Sequence, residues 1–488
     1  MFNLNLISKY SKELINFFGP FSAIVLNLIF TPLLLMQFGI LEWSLFLLIG
    51  AIQPLSYLFS LGIPQIIFEK FPQLITHHGR TKKNINEFLQ LEIIHLVGSS
   101  VFFLFVFFIL KIFLNAESIP NININTTVII ISLILLLRML EYFYIIILNS
   151  VQKFYISNIS QVISSTIKWI FGYLGVIYLN WELNQFLMFQ LLISIIYILF
   201  LFLTIRVKFK FSNNYLDLKN NHFFHVSKLQ VSFFSIFFFI CLTQFDKFIV
   251  LIWHNNLAFF AKYSLVLTIS SCIPIFTQPL VTLYSSIVNN NLKRNLDLLL
   301  LDILNNLFTF ILPISIFLFF NLETILTIWL KQIFFDYEII LSGKIFIIGF
   351  TFVSIISLFL NYFITIKKQF YFAAIGGLMF LIFIFSSYFS LTKQEIVIFS
   401  ITWSFINFIF LIILIESIFK NFDQEVKIDY LKYIPKLIFN ILILILFFYF
   451  LNFMILNLQF DYTQTLVLNL CLFFMLFFIL IKYNYKKI

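Results

Sequence analysis

The chain has 488 residues, of which 61% are hydrophobic and only 11% charged, and it carries a formal net charge of +10. Soluble domains hold about 25% charged residues, so a water-soluble enzyme or binding module is excluded. The basic residues flank long apolar runs and are not interleaved with aromatics outside them, so the charge points to anionic membrane lipids and not to nucleic acid.

A helix crossing the hydrocarbon core needs roughly 20 apolar residues. On that measure the sequence predicts an all-α polytopic membrane protein of about fourteen transmembrane helices, near 17–37, 43–62, 88–110, 127–149, 158–180, 184–205, 229–253, 259–288, 299–321, 339–365, 370–391, 395–419, 437–457 and 464–483. The lead-in to Asn16 is polar and mildly basic, with no small-residue cleavage site after the first apolar run, and reads as cytoplasmic. Residues 63–87, with Glu69, Lys70, Arg80, Lys82 and Lys83, are too charged to span and predict an interfacial helix and turn. Pro32, Pro54, Pro274, Pro279 and Pro313 fall inside spans and predict kinks. Cys241, Cys272 and Cys471 lie in apolar segments as small hydrophobes. His222 and His225 have no Cys or acid beside them, so no metal site and no cofactor is expected.

Basic residues concentrate on alternate connections. Twenty-three Lys and Arg, among them Lys70, Arg80, Arg206, Lys208, Arg294, Lys368 and Lys436, share the side of the N-terminus, against Lys111, Lys262, Lys331 and Lys393 opposite. The positive-inside rule places both termini in the cytoplasm. The basic stretch 206–228 divides the chain into an N-terminal lobe of six spans (1–205) and a C-terminal lobe of six (229–419), with two additional spans in 420–488. Six is even, so both lobes enter the membrane from the same side, as a parallel repeat requires.

The first lobe runs Thr31-Pro32-Leu33-Leu34, then Phe38-Gly39-Ile40-Leu41-Glu42-Trp43, then Ser60-Leu61-Gly62-Ile63-Pro64 followed by Glu69-Lys70. The seventh span carries Phe245-Asp246-Lys247-Phe248-Ile249-Val250, followed by Ala261-Lys262-Tyr263. This pattern resembles polysaccharide flippases of the Wzx type, in the multidrug/oligosaccharidyl-lipid/polysaccharide exporter superfamily. Those proteins show a kinked first helix, a short outer turn with Gly and an aromatic, a Leu-Gly exit from the second helix, and Asp-Lys/Arg followed by Ala-x-Tyr. The resemblance implies a bacterial inner-membrane protein that moves a polyprenyl-diphosphate-linked O-antigen, capsule or exopolysaccharide unit, beside a polysaccharide polymerase or chain-length regulator. The chain departs from it in having 12 Gly and 72 Phe, so tight glycine-mediated helix contacts are expected to be few.

Charges inside spans carry the functional argument, because a central Lys or Arg costs roughly 2.5–3.5 kcal/mol and turns toward protein or a wet cavity. Arg138 and Lys168 fall near the middle of the fourth and fifth spans, which a short loop makes neighbours. Two readings are open for Arg138: a local ion pair with Glu141 on the same helix face, or an anion-holding cation. Lys168 has no acid on its own helix, which favours a polar cavity, with Glu141 as the alternative partner. Such cations would hold a phosphate through charge-assisted hydrogen bonds. Lys247 is a third candidate for substrate, and Asp246 and Glu141 are candidates for ion coupling. Adjacent residues on a helix diverge by about 100°, so Asp246 and Lys247 are not expected to satisfy each other. Lys262 and Lys344 are expected to snorkel, and Glu92, His95 and Glu416 to be solvated near the cytoplasmic face. Asn27, Tyr57, Tyr142, Tyr144, Trp169, Tyr173, Trp403 and Asn407 are candidates to line a groove for sugars.

Three functions compete. A lipid-linked oligosaccharide flippase fits the excess of buried cations over acids. A cation-coupled multidrug or small-molecule exporter of the same superfamily would have twelve spans and a buried acid in each half. A polymerase or lipid-dependent glycosyltransferase would need a large outer loop, and the longest here, about Leu322–Leu341 with Glu323, Asp336 and Glu338, is too small for catalytic residues to be expected. The topology predicts that cysteines placed at Asn220 and Asn290 are labelled by an impermeant reagent only from the cytoplasm, and those at Asn256 and Asn457 only from outside. Labelling of the Asn220 site from outside would overturn the orientation and the lobe division together.

Overall fold

The computed structural model describes residues 4–60, 62–63, 66–67, 71, 82–114, 123–151, 153–209, 226–254, 256–274, 296–331, 335–366, 368–392, 396–421, 464–467 and 469–470. The basic linker after Phe209, most of the interfacial segment 63–87, the span 437–457 and most of 464–483 lie outside the described residues. Every regular element among the described residues is helical, as lipid demands: a helix satisfies its own backbone and an open sheet edge does not.

Helix α1 covers Leu4–Ile52, with one non-helical residue, Gly39 at φ 77° and ψ 169°. That conformation is nearly restricted to glycine. Phe30 and Phe46 both lie against Trp169, with ring centroids at 6.2 and 5.8 Å. On a straight helix those two positions would be about 24 Å apart. The chain therefore reverses at Gly39, and α1 is two spans side by side, with the predicted outer turn contracted to that residue. The second limb ends where Pro54, which has no N–H to give, opens a 3-10 turn at Gln53–Leu55, followed by α2 (Ser56–Phe59).

Helix α3 (Lys82–Leu114) packs on α4 (Ile124–Ser150), which Asn123 caps by accepting from the Thr126 amide. A continuous helical run follows as α5 (Phe154–Thr166), a π turn at Ile167–Phe171 and α6 (Gly172–Tyr178), then α7 (Leu183–Phe209). Beyond the linker come α8 (Val226–Gln244), α9 (Asp246–His254), α10 (Leu257–Ser270), α11 (Leu296–Trp329), α12 (Tyr337–Thr365), α13 (Gln369–Thr392) and α14 (Ile396–Asn421). Among the described residues, nine helical stretches are long and apolar enough to cross a membrane, Phe21–Leu55 counted as one, and α8 with α9 forms a further pair bent by 57°. The protein is a multi-pass membrane protein.

Contacts divide the chain into two compact units. The first comprises Met1–Ala261 with the short pieces Ser285–Asn290 and Lys368–Ala374, and thus includes α8 and α9. In it α1 lies along α5, and α4 lies between α3 and α7. Gly98 of α3 sits where an added Cβ would run into the Phe59 carbonyl oxygen, so α2 and α3 touch at backbone distance. In the second unit, Ser270 Oγ donates to the Gly343 carbonyl, Trp403 packs on Gly349, and Asn469 Nδ2 donates to Asn321 Oδ1 across buried amides. The glycines are few, as counted, but the expectation of few tight contacts fails: Gly98, Gly343 and Gly349 each stand where a side chain would collide.

Several charges differ from expectation. Glu92 and His95 are not solvated but 3% and 1% exposed. Glu92 accepts from Arg206 Nη2 at 2.5 Å and from Tyr144 OH at 3.0 Å, joining α3, α4 and α7. His95 Nε2 meets the Met139 carbonyl at 3.1 Å, and its ring stacks on Phe143. Lys262 and Lys344 pair with Asp336 at 3.5 Å and Glu323 at 3.9 Å. Tyr144, Trp403 and Asn407 are buried in helix contacts and do not line a groove.

Removing one member of the buried pair should strand the other. Arg206→Ala is expected to destabilise the first unit by about 3–5 kcal/mol, visible as lost membrane abundance and a lower melting temperature in detergent. The double change Glu92→Met with Arg206→Met should recover most of both.

Candidate functional site

Arg138 and Glu141 stand three residues apart on α4, and so share a face of that helix. Arg138 lies close to the centre of α4, about 20 Å of helix from either end, and Lys168 lies about 21 Å from the start and about 15 Å from the end of the run Phe154–Tyr178. The structure brings the three together within the first unit. Lys168 Nζ lies 4.0 Å from Glu141 Oε2, and the charges acting on Lys168 are those of Glu141 and Arg138. Arg138 Nη1 donates to Gln53 Oε1, the side chain presented by the turn that Pro54 opens. Gln53 is not among the candidates named from the sequence, although an amide directly before a proline inside an apolar span is a visible signal.

Among the described residues the cluster sets two cationic side chains beside one carboxylate. Lys168 and Glu141 keep 14% and 15% of their side-chain surface accessible. At 4.0 Å their contact is longer than a charge-assisted hydrogen bond of about 2.7–2.9 Å. The ammonium therefore keeps donors for a further acceptor. Glu141 is also in electrostatic range of Tyr197, whose hydroxyl meets Ser160 Oγ at 3.3 Å. Trp169, beside Lys168, packs between Phe30 and Phe46 of the two α1 limbs, so its indole serves the walls and leaves little face for a sugar.

Asp246 and Lys247 form a separate pair. Within the predicted span 229–253 the helix breaks at Phe245 and restarts with Asp246 in the first turn of α9, the two parts bent by 57°. An acidic residue is favoured there by the free N–H groups and the positive end of the helix dipole. Asp246 is fully buried, Lys247 is half-buried, and the charge acting on Lys247 is Asp246. Asp246 and Lys247 both lie on α9, past the break, so as neighbours on one helix they still diverge by about 100°. Among the described residues no group of three or more His, Cys, Asp or Glu is placed to hold a metal ion.

The chain shares an all-helical fold with solved transporter and flippase structures. It is similar to a solved structure of the lipid II flippase MurJ in an inward closed conformation, with TM-score 0.63, 18% identity and 99% of each chain covered. It is also similar to a point mutant of the Vibrio cholerae MATE transporter VcmN, with TM-score 0.61, 12% identity, and 85% of this chain and 97% of that one covered. A point mutant of another MATE protein matches at TM-score 0.60 and 11% identity, over 82% of this chain and 92% of that one. No family model matches the sequence, and no curated protein does.

Proposed function

We propose that the protein is a flippase that carries a polyprenyl-diphosphate-linked oligosaccharide across the bacterial inner membrane, both termini being cytoplasmic. The observation that carries this reading is the cluster of Arg138, Lys168 and Glu141 at the middle of its helices. A cation exposed at that depth is costly unless it faces a wet cavity or an anion, and a lipid diphosphate is an anion that arrives from the bilayer itself. Arg138 offers a planar fork and Lys168 a point charge, a pairing suited to two phosphate groups. The Wzx-like motifs and the match to a lipid II flippase over 99% of both chains support the same class.

In this reading the six-span lobes 1–205 and 229–419 rock about a central cleft, and the lipid tail stays in the bilayer. Glu141 and Asp246 couple the cycle to an ion, Lys247 adds a further contact to substrate, and a polysaccharide polymerase or chain-length regulator acts downstream. The alternative, a cation-coupled multidrug exporter, draws on the MATE likenesses. They reach only 82% and 85% of this chain while covering 92% and 97% of their own, so they leave part of it unaccounted for.

Lys168→Ala and Arg138→Ala should each reduce surface polysaccharide at least about tenfold while membrane abundance stays near normal, since each removes charge-assisted hydrogen bonds to the diphosphate. Arg138→Lys should retain part of the activity, keeping charge and losing the fork. If the double change Arg138→Ala with Glu141→Ala restores both abundance and export, Arg138 serves only its local partners, and its role in binding substrate falls.

A further inference from the structure

The turn that carries Lys168 is not an ordinary helical turn. Between Ile167 and Phe171 the helix widens to a π turn, a feature that costs regular hydrogen bonding and often accompanies functional residues. In an α-helix the Gly172 amide would donate to the Lys168 carbonyl; here it donates to the Trp169 carbonyl. The Lys168 carbonyl accepts from Gln190 Nε2 of α7, at 2.9 Å. Gln190 is 6% exposed and sits in the buried stripe of α7 that also holds Phe186, Ser194 and Tyr197. Gly172 permits the approach, because a Cβ there would stand 2.8 Å from the Phe186 ring and 3.6 Å from Gln190 Nε2.

An extra residue in a turn rotates what it carries by about 100° relative to a regular helix. Lys168 lies inside that turn, with its ammonium toward Glu141 and Arg138, while the following Trp169 is wedged against both limbs of α1. We propose that Gln190 is the positioning residue of the cation site: its side-chain amide takes over the Lys168 carbonyl, holds the turn wide, and so aims the Lys168 ammonium at the bound diphosphate. Gln190 touches no substrate in this scheme and acts only through Lys168. The ligand named rests on the flippase reading; the positioning of Lys168 does not.

Gln190→Met keeps the length of the side chain and removes the donor. With purified protein in lipid nanodiscs and undecaprenyl diphosphate as probe, it should weaken binding about three- to tenfold, the fold-change of one net hydrogen bond. In a Lys168→Ala background the same change should have no further effect, as expected of two residues acting as one unit. Equal weakening in both backgrounds, or none in the first while Lys168→Ala does weaken binding, overturns the proposal. If Lys168→Ala itself leaves binding intact, the diphosphate reading fails, and a second measurement decides the positioning role. In a Lys168→Cys variant with Cys241, Cys272 and Cys471 replaced by Ala, Gln190→Met should change the alkylation rate at position 168 by about threefold or more; an unchanged rate overturns the role of Gln190 whatever the substrate. Should Gln190→Met fail to accumulate, Gln190→Asn withdraws the amide by one methylene and carries the same expectations.

Discussion

A polar group at hydrocarbon depth has no water to fall back on, so it must find its partner inside the protein. The first unit meets that constraint at breaks in its helices. Pro54 opens the turn that delivers Gln53 to Arg138. The π turn frees the Lys168 carbonyl for Gln190. The break at Phe245 gives Asp246 the head of α9. In each case an interruption that would weaken a soluble helix stands beside a charge. The site is thus an outcome of where the helices are allowed to fail.

Magnitudes separate the two kinds of charge contact in this unit. Arg206 and Glu92 meet at 2.5 Å, Tyr144 satisfies the second carboxylate oxygen, and both charged residues are under a tenth exposed. That is a closed arrangement, and its cost of desolvation, several kcal/mol per ion, is offset only because the geometry is tight and the remaining lone pairs are used. Lys168 and Glu141 stand 4.0 Å apart with accessible surface on both. The chain is able to build a closed pair, and at Lys168 it has not done so. An open pair with a second cation beside it has the electrostatics of a receptor for an anion, not of a clamp.

The spans were legible because lipid imposes a length and a composition, and the reversal at Gly39 was visible as a glycine between two apolar runs. The neighbourhood of Arg138 and Lys168 followed from the short loop between their helices. What stayed hidden depended on side chains from elements distant in sequence. Glu92 and Arg206 are 114 residues apart, and nothing local in either segment announces their bond. Gln190 is a single amide in an apolar helix, and its meaning appears only once the π turn presents a carbonyl to it. The break at Phe245 was missed because Gln244, Phe245 and Asp246 interrupt neither the apolar run nor the helical period strongly enough to be read as an end. The few glycines misled for a related reason: number says little when each one stands at a contact.

Flippase and exporter share this fold, so the choice between them turns on what the site must neutralise. An exporter of cationic compounds is served by acids exposed in each half, and its pocket must be net negative when empty. In the cluster of the first unit two cationic side chains stand with one carboxylate, Glu141 facing Lys168. The acid at the head of α9, Asp246, is followed directly in sequence by the cation Lys247. A substrate that brings its own negative charge and its own lipid tail resolves both facts at once, because it neutralises the excess cation without leaving the bilayer. Charge balance at mid-helix, more than the shape of the fold, is what favours a diphosphate lipid over a cationic solute.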